Sequence, residues 1–377
     1  MLHKNSLVDR NEFIDILRFI SIALVLLHHF NIPYKLFDTF LTFDFLNESF
    51  ITLLARNGNY GVTMFFVISG YLITSHSLKR WQSLKNINVQ YFYVSRVARI
   101  IPSLILLILI VNVLGFLGLK PFITQAPNDI VVSQSVVNFA ALTFWMNILI
   151  IEAGWVNYAL GVLWSLSVEE VFYLAFPILA FILKREQLFI LGCIFLICFC
   201  PYFRYLNYGD ESGAYLYHYF SSFDGIAFGC LTAIISNKFR FSQNISVYIR
   251  NIVIAIMICI YFYGPIKETC VFGITAFSLC TSVLIMTSLS IQKDYDNFLA
   301  NPLKRIGRNS YEIYLFHLVV LGLIKILFIP PMTNGNIKVL LLVVYLFIAI
   351  VLGGIIAKYF SNPLNRKIRN RFIKKDI

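Results

Sequence analysis

The side chains that could do chemistry in this sequence sit inside stretches that are otherwise apolar. Residues 13–33 are long and apolar enough to form a membrane-crossing helix. Yet they carry Asp15, Arg18, His28 and His29, which a lipid-facing helix tolerates only at high cost. At about 100° per residue, His29 lies about 20° from Arg18 and about 40° from Asp15, whereas His28 points about 80° from Arg18. Asp15, Arg18 and His29 therefore form one polar stripe that must face protein or a wet cavity, with about 16 Å of helix rise between Arg18 and His29. An imidazole on such a stripe can act as a base, and an arginine can hold an anion.

Four further stretches carry candidate groups. Residues 164–177, WSLSVEEVFYLAFP, place Ser165 and Glu169 one helical turn apart on a shared face, next to Glu170. They can serve chemistry, or equally act as an inter-helix polar clamp or a helix-start cap. Arg96 and Arg99 share a face at i, i+3, suited to phosphate or to ordinary positive-inside anchoring. Ser69-Gly70 lies mid-span, where small residues allow close helix approach. Ser310, Tyr314 and His317 fall at i, i+4, i+7 and line one stripe. The acidic residues inside apolar stretches are Asp15, Glu169, Glu170, Asp224 and Glu312, with structural ion pairing as the alternative to function for each. We expect Asp224 to be structural, and sequence alone suggests no partner for His3, His28, His76 or His218.

The elements that must position these groups follow from composition. The 377 residues are 59% hydrophobic and only 13% charged, with a mean hydropathy of +0.76; a soluble domain carries about 25% charged residues. The expected fold class is all-α: a polytopic membrane protein of about ten transmembrane helices, both termini cytoplasmic, with no soluble domain. The spans are expected near 13–33, 60–78, 98–119, 164–183, 188–205, 217–236, 247–264, 270–290, 310–330 and 338–359, each close to the ~20 residues a bilayer requires. Residues 138–151 are apolar but short and read as a re-entrant or interfacial helix.

Charge placement supports this arrangement. With the N-terminus inside, the outer loops hold only Lys35, Arg56, Lys120, Arg204, Lys267 and Lys338 of the 31 basic residues. The cytoplasmic segments hold Lys4, Arg10 and clusters at 79–99, 293–308 and 358–375. The net charge of +12 is thus a membrane-topology signal and gives no reason to expect nucleic acid. We divide the chain into a transmembrane domain, 1–360, and a basic cytoplasmic tail, 361–377, that would sit on anionic headgroups. The seven cysteines lie in or beside apolar segments, without metal-ligand spacing, and read as packing residues; no metal is expected. The first span is too long and too charged for a cleavable signal peptide.

Taken together, the motifs resemble the acyltransferase family 3 membrane proteins, typified by bacterial O-antigen and exopolysaccharide O-acetyltransferases. The matching residues are Arg18 with ten residues before His29; FFVISGYLI at 65–73; Arg96-x-x-Arg99-Ile-x-Pro102; WSLSVEE-x-FY ending at Tyr173; and Ser310-Tyr-x-Ile-Tyr314-Leu-x-His317, in the family's order. Two departures stand out. Some members carry a C-terminal extracytoplasmic esterase-like domain, for which the short basic tail leaves no room. The family often has an arginine just ahead of the acid in the sixth span, where this chain reads Ser-Ser-Phe-Asp224.

The resemblance implies transfer of an acyl group, usually acetyl from acetyl-CoA as co-substrate, to a sugar hydroxyl of a cell-surface or lipid-linked glycan such as lipopolysaccharide O-antigen, in the bacterial inner membrane. On that basis His29 is assigned as general base, with Glu169 and His317 completing the catalytic set. Asp15, Arg18, Ser69, Arg96, Arg99 and Tyr314 are assigned to the acyl-CoA site, the arginines to its phosphates. About 16 Å from Arg18 to His29 is close to the reach of a pantetheine arm. An acyl-histidine relay is an alternative to direct transfer. The competing class is a transporter or flippase for an anionic or lipid-linked glycan, since buried ionisable residues also line substrate pathways; a scaffolding partner is a third.

Overall fold

Apolar runs bounded by polar caps fix the helices of this chain. In the computed structural model, which describes residues 11–41, 44–45, 48–291 and 300–373, Asn11 caps α1 (Glu12–Tyr34) by accepting the Phe13 N–H at 3.0 Å. The short α2 (Phe50–Arg56) follows a two-residue antiparallel pair, Asp44–Phe45 with Glu48–Ser49. Next come α3 (Asn59–Trp81) and α4 (Val89–Phe116), the latter capped by Asn88. Two short helices, α5 (Gln134–Leu142) and α6 (Met146–Ala153), precede α7 (Trp164–Leu183) and α8 (Glu186–Leu206). The single turn α9 (Ala214–Tyr217) leads to α10 (Phe223–Lys238), α11 (Gln243–Tyr263) and α12 (Ile266–Ser288). The chain closes with α13 (Ala300–Arg308), α14 (Ser310–Leu327), α15 (Gly335–Ile356), a π-helical turn at Ala357–Ser361 and α16 (Asn362–Phe372).

The protein is an all-α polytopic membrane protein. Among the described residues, nine helices are long and apolar enough to cross a bilayer. They expose large apolar side chains outward, among them Phe181, Leu109 and Phe347, which only lipid would cover without cost. The sequence predicts ten spans. The difference lies at 217–236, where α10 has 16 residues, about 24 Å against a ~30 Å hydrocarbon core. Residues 217–222 are instead spent on α9 and a 3-10 turn. Residues 134–153 form two short helices, neither long enough to cross, whereas α10 runs antiparallel to α8 from the Arg204–Asp224 pair to the Lys238–Glu186 pair and so returns the chain over the same depth, keeping the downstream orientation. Of the cytoplasmic charges counted above, Lys4, Arg10, Lys293, Lys374 and Lys375 lie outside the described residues, as does His3.

Two cores pack against α3. Its Val62, Phe66 and Ile73 join a cluster with α1, α4, α7, α14 and α15. Its Met64, Val67 and Ile68 join a second with α11 and α12. The α3–α10 contact is backbone on backbone: a Cβ at Gly70 would stand 2.0 Å from the Ile226 carbonyl oxygen, and one at Gly229 2.0 Å from that of Val67. The packing role expected of Gly70 is thus met, leaving Ser69 to face the other way.

Arg204 departs from its expected place in an outer loop. It is fully buried in the last turn of α8 and donates to Asp224 Oδ2 at 2.8 Å, to the Ser221 carbonyl at 2.6 Å and to the Thr275 hydroxyl. Asp224 is structural, as expected, and its arginine comes from the preceding helix rather than the preceding residues. Lys338, also counted as an outer-loop charge, is buried against Asp38 at 2.7 Å. Removing one member of a buried pair strands the other at a cost of about 3–5 kcal/mol, whereas replacing both with apolar residues is often neutral. Asp224→Ala is therefore expected to lower the melting temperature of the purified protein sharply, and Arg204→Met with Asp224→Leu to recover most of the loss.

Candidate active site

Five helices converge on a cavity of about 210 Å³. Arg18 comes from α1, Ser69 from α3, Arg96 and Arg99 from α4, Ser165, Glu169, Glu170 and Tyr173 from α7, and Ser310, Tyr311 and Tyr314 from α14. Phe65, Phe66 and Leu72 supply apolar wall. The α7 side is set by its entry. Residues 154–160 run as largely buried irregular chain into a 3-10 turn at Gly161–Leu163, folded around Asn157, whose Oδ1 accepts the Ala159 and Leu160 N–H groups and whose amide reaches the Phe122 carbonyl at 3.2 Å. Such backbone is tolerated within a membrane protein only where protein covers it.

The α1 stripe faces α13 and α14, as helix geometry requires, one rung at a time. Asp15 accepts from Arg308 Nε at 2.9 Å, Arg18 Nε donates to Ser310 Oγ at 3.2 Å, and the His29 ring lies 4.9 Å from that of His317. His28 points away, with Nδ1 2.9 Å from the Ala55 carbonyl. Asp15 does not line the cavity, so the structure separates it from the residues with which it is grouped above; it pairs with Arg308, whose contribution the sequence does not signal.

The acids inside the helices divide cleanly. Asp15, Asp224 and Glu312 each hold an arginine. Glu169 and Glu170, which line the cavity, have no ion pair among the described residues. Glu169 Oε1 accepts from Tyr173 OH at 2.6 Å and from the Ser69 hydroxyl, which also meets Tyr173. Glu170 is buried, with Oε1 lacking any hydrogen-bond partner. A carboxylate held by hydroxyls rather than by a counter-charge keeps its acceptor capacity for a third group.

The arginine pair splits in the same way. Arg99 is committed: its Nη1 and Nη2 fork onto Glu312 at 2.7 and 3.3 Å, and Ser361 donates to the same carboxylate at 2.7 Å. Arg96 lies over the Tyr173 ring at 4.2 Å and makes no ion pair among the described residues, so its guanidinium can take an incoming anion. Sequence spacing treats the two alike; Glu312 separates them.

The histidines lie behind Tyr314. Its hydroxyl is 2.6 Å from Ser165 Oγ and 2.9 Å from the Val162 carbonyl, while its ring is 5.6 Å from His317. Neither His29 nor His317 lines the cavity. His29 Nδ1 is 2.9 Å from the Val25 carbonyl and His317 Nδ1 2.6 Å from that of Tyr314. A carbonyl accepts only, so each Nδ1 is the protonated nitrogen and each Nε2 keeps its lone pair. His317 Nε2 is buried with no hydrogen-bond partner among the described residues.

Comparison with known proteins bears on this geometry. The model of a family described as an acyltransferase domain matches residues 11–358, spanning every residue of the cavity. The O-acetyltransferase OatA of Staphylococcus aureus is 26% identical over 340 residues, covering 82% of this chain and 53% of the relative. A putative O-acetyltransferase of the same organism is 24% identical over 346 residues, covering 85% and 54%. The chain thus spans about half the length of the curated relatives it matches. No solved structure matches.

The Arg99–Glu312 pair yields a test. Arg99→Ala strands a fully buried carboxylate and is expected to cost about 3–5 kcal/mol of stability. Arg96→Ala removes only a stacking contact of about 0.5–2 kcal/mol. Thermal unfolding of the two variants in one detergent should separate them clearly, and equal melting temperatures would contradict the assignment of Arg99 to structure.

Proposed function

The chain belongs to the acyltransferase-domain family, and on that premise we propose that it is a membrane-embedded O-acyltransferase moving an acetyl group from acetyl-CoA to a sugar hydroxyl of a cell-surface or lipid-linked glycan. One observation carries this reading. Glu169 and Glu170, which make no ion pair among the described residues, share one cavity with Arg96, a cation likewise in no ion pair there. The names of the relatives, O-acetyltransferases, favour acetyl as the group.

In the proposed reaction, Arg96 and Arg18 hold the donor's phosphates at one end of the cavity. The thin pantetheine arm extends past Ser69 and Glu169 toward Tyr314. His29 Nε2 takes the proton of the acceptor hydroxyl as its oxygen attacks the thioester carbonyl. The C–S bond breaks, the thiolate leaves, and the proton on His29 passes to sulfur. His317 Nε2, facing the same region without a partner, orients the hydroxyl or shares the proton. Tyr314 stands between cavity and histidines, so its hydrogen bond to Ser165 must open for thioester and base to meet.

This reading is tested on the host's surface glycan by mass spectrometry, with the gene present, deleted, and replaced by His29→Ala. One acyl increment per repeat is expected to vanish in the deletion and in His29→Ala, with a general-base contribution of about 10²–10⁴-fold. Full acylation by a His29→Ala protein present at normal level would refute the base assignment. A glycan that is chemically unchanged but less abundant at the surface would favour a transporter. In the purified protein, Arg96→Ala should raise KM for acetyl-CoA by about 10–100-fold with a smaller effect on kcat, since a charge-assisted hydrogen bond contributes about 1.5–3 kcal/mol.

A further inference from the structure

A second concavity lies outside the site described above. It runs between the α13–α14 corner and the end of α15, continuing along the π-helical turn and α16, at the end of the bundle that charge placement assigns to the cytoplasm. Two adjoining hollows of about 740 and 340 Å³ share Arg305, Asn309, Gly354 and Lys358 and so form one crevice.

Its two ends differ in chemistry. Toward the middle of the helices the walls are Ile313, Ile350, Val351 and Ile355. Val351 and Ile355 are 41% and 50% exposed, on the most apolar of the candidate spans. Toward the helix ends the walls are Arg305, Arg308, Lys358 and Arg366, with no carboxylate among the lining residues. Arg308 is neutralised by Asp15. Arg305, Lys358 and Arg366 make no ion pair among the described residues. Lys358 lies within the π-helical turn, a local widening of the kind often retained at functional sites. Tyr359 beside it is 67% exposed, as an aromatic at the headgroup level would be. Gly354 lines open space: a Cβ there would make only an ordinary contact, with the Asn309 side chain at 3.7 Å, so a larger side chain would project into the crevice.

We propose that this crevice binds one anionic phospholipid, its phosphate among Arg305, Lys358 and Arg366 and an acyl chain along Ile350, Val351 and Ile355. A water-soluble anion such as a nucleotide could use the basic end alone. It would leave the exposed Val351 and Ile355 uncovered, whereas a lipid covers both ends. Surface basic residues attract anionic lipid along any cytoplasmic face; the crevice adds a fixed seat with a defined depth.

The test uses the full chain in nanodiscs of equal phosphatidylcholine and phosphatidylglycerol, released and examined by native mass spectrometry. One phosphatidylglycerol is expected to stay bound to the wild-type protein. Substituting Arg305→Gln, Lys358→Gln and Arg366→Gln together should weaken retention about 100-fold, as three basic contacts near a headgroup would. Gly354→Leu, which fills the crevice and leaves every charge in place, should abolish retention too, and covers the case of a triple variant that fails to fold. A diazirine-bearing phosphatidylglycerol should crosslink within 301–313 and 350–366 of the wild type. Equal retention of both lipids, retention unaffected by Gly354→Leu, or displacement of phosphatidylglycerol by coenzyme A would each overturn the proposal.

Discussion

A carboxylate packed among helices with little water beside it must find a counter-charge or a hydrogen bond, and this protein meets that demand in two ways. Asp15, Asp224 and Glu312 are each matched by an arginine from another helix, and those pairs tie α1 to α13, α8 to α10 and α4 to α14. Glu169 is instead satisfied by two hydroxyls, and Glu170 leaves an oxygen unpartnered. The first group fixes where the helices stand. The second is what that fixed frame encloses. A buried ion pair can often be replaced as a whole by apolar residues with little loss of stability, whereas losing one partner alone is costly.

The same logic orders the arginines. Arg99 and Arg204 are spent on buried carboxylates, while Arg96 rests on an aromatic face from which a stronger anion can draw it. One motif, Arg-x-x-Arg, thus contains one arginine held by a carboxylate and one in no ion pair among the described residues, on adjacent turns of α4. The division is invisible in spacing because it depends on Glu312 and Ser361, more than 200 residues further along the chain.

Much of this architecture is legible in the amino-acid sequence. Hydropathy locates the spans, since a bilayer leaves few alternatives for a 20-residue apolar run. Helix periodicity places Asp15, Arg18 and His29 on one stripe and His28 off it, as the contacts with α13, α14 and α2 bear out. The i, i+4, i+7 spacing likewise puts Ser310, Tyr314 and His317 in a row, each facing a different partner. Pairing between distant segments is what sequence does not reveal. Arg204 resembles a loop charge because it ends an apolar run, and only the fold brings Asp224 to it. Asp15 shares a helix face with Arg18 and so groups with the donor-site residues, while Arg308, which holds it, lies in a segment whose charges read as anchoring. Tyr173 closes a motif in the sequence without a role assigned to it; in the fold its hydroxyl joins Ser69 and Glu169 into one cluster.

The central claim is that acyl-CoA enters the five-helix cavity with its phosphates at Arg96 and its thioester directed past Tyr314 toward His29. The most direct measurement is an experimental structure of the protein with a non-hydrolysable acyl-CoA analogue. The account predicts the pantetheine arm between Ser69 and Tyr173 on one side and Tyr311 on the other, with Tyr314 moved off Ser165 and the acyl carbonyl within reach of His29 Nε2. An analogue bound with its acyl end away from both histidines, or outside this cavity altogether, would contradict it.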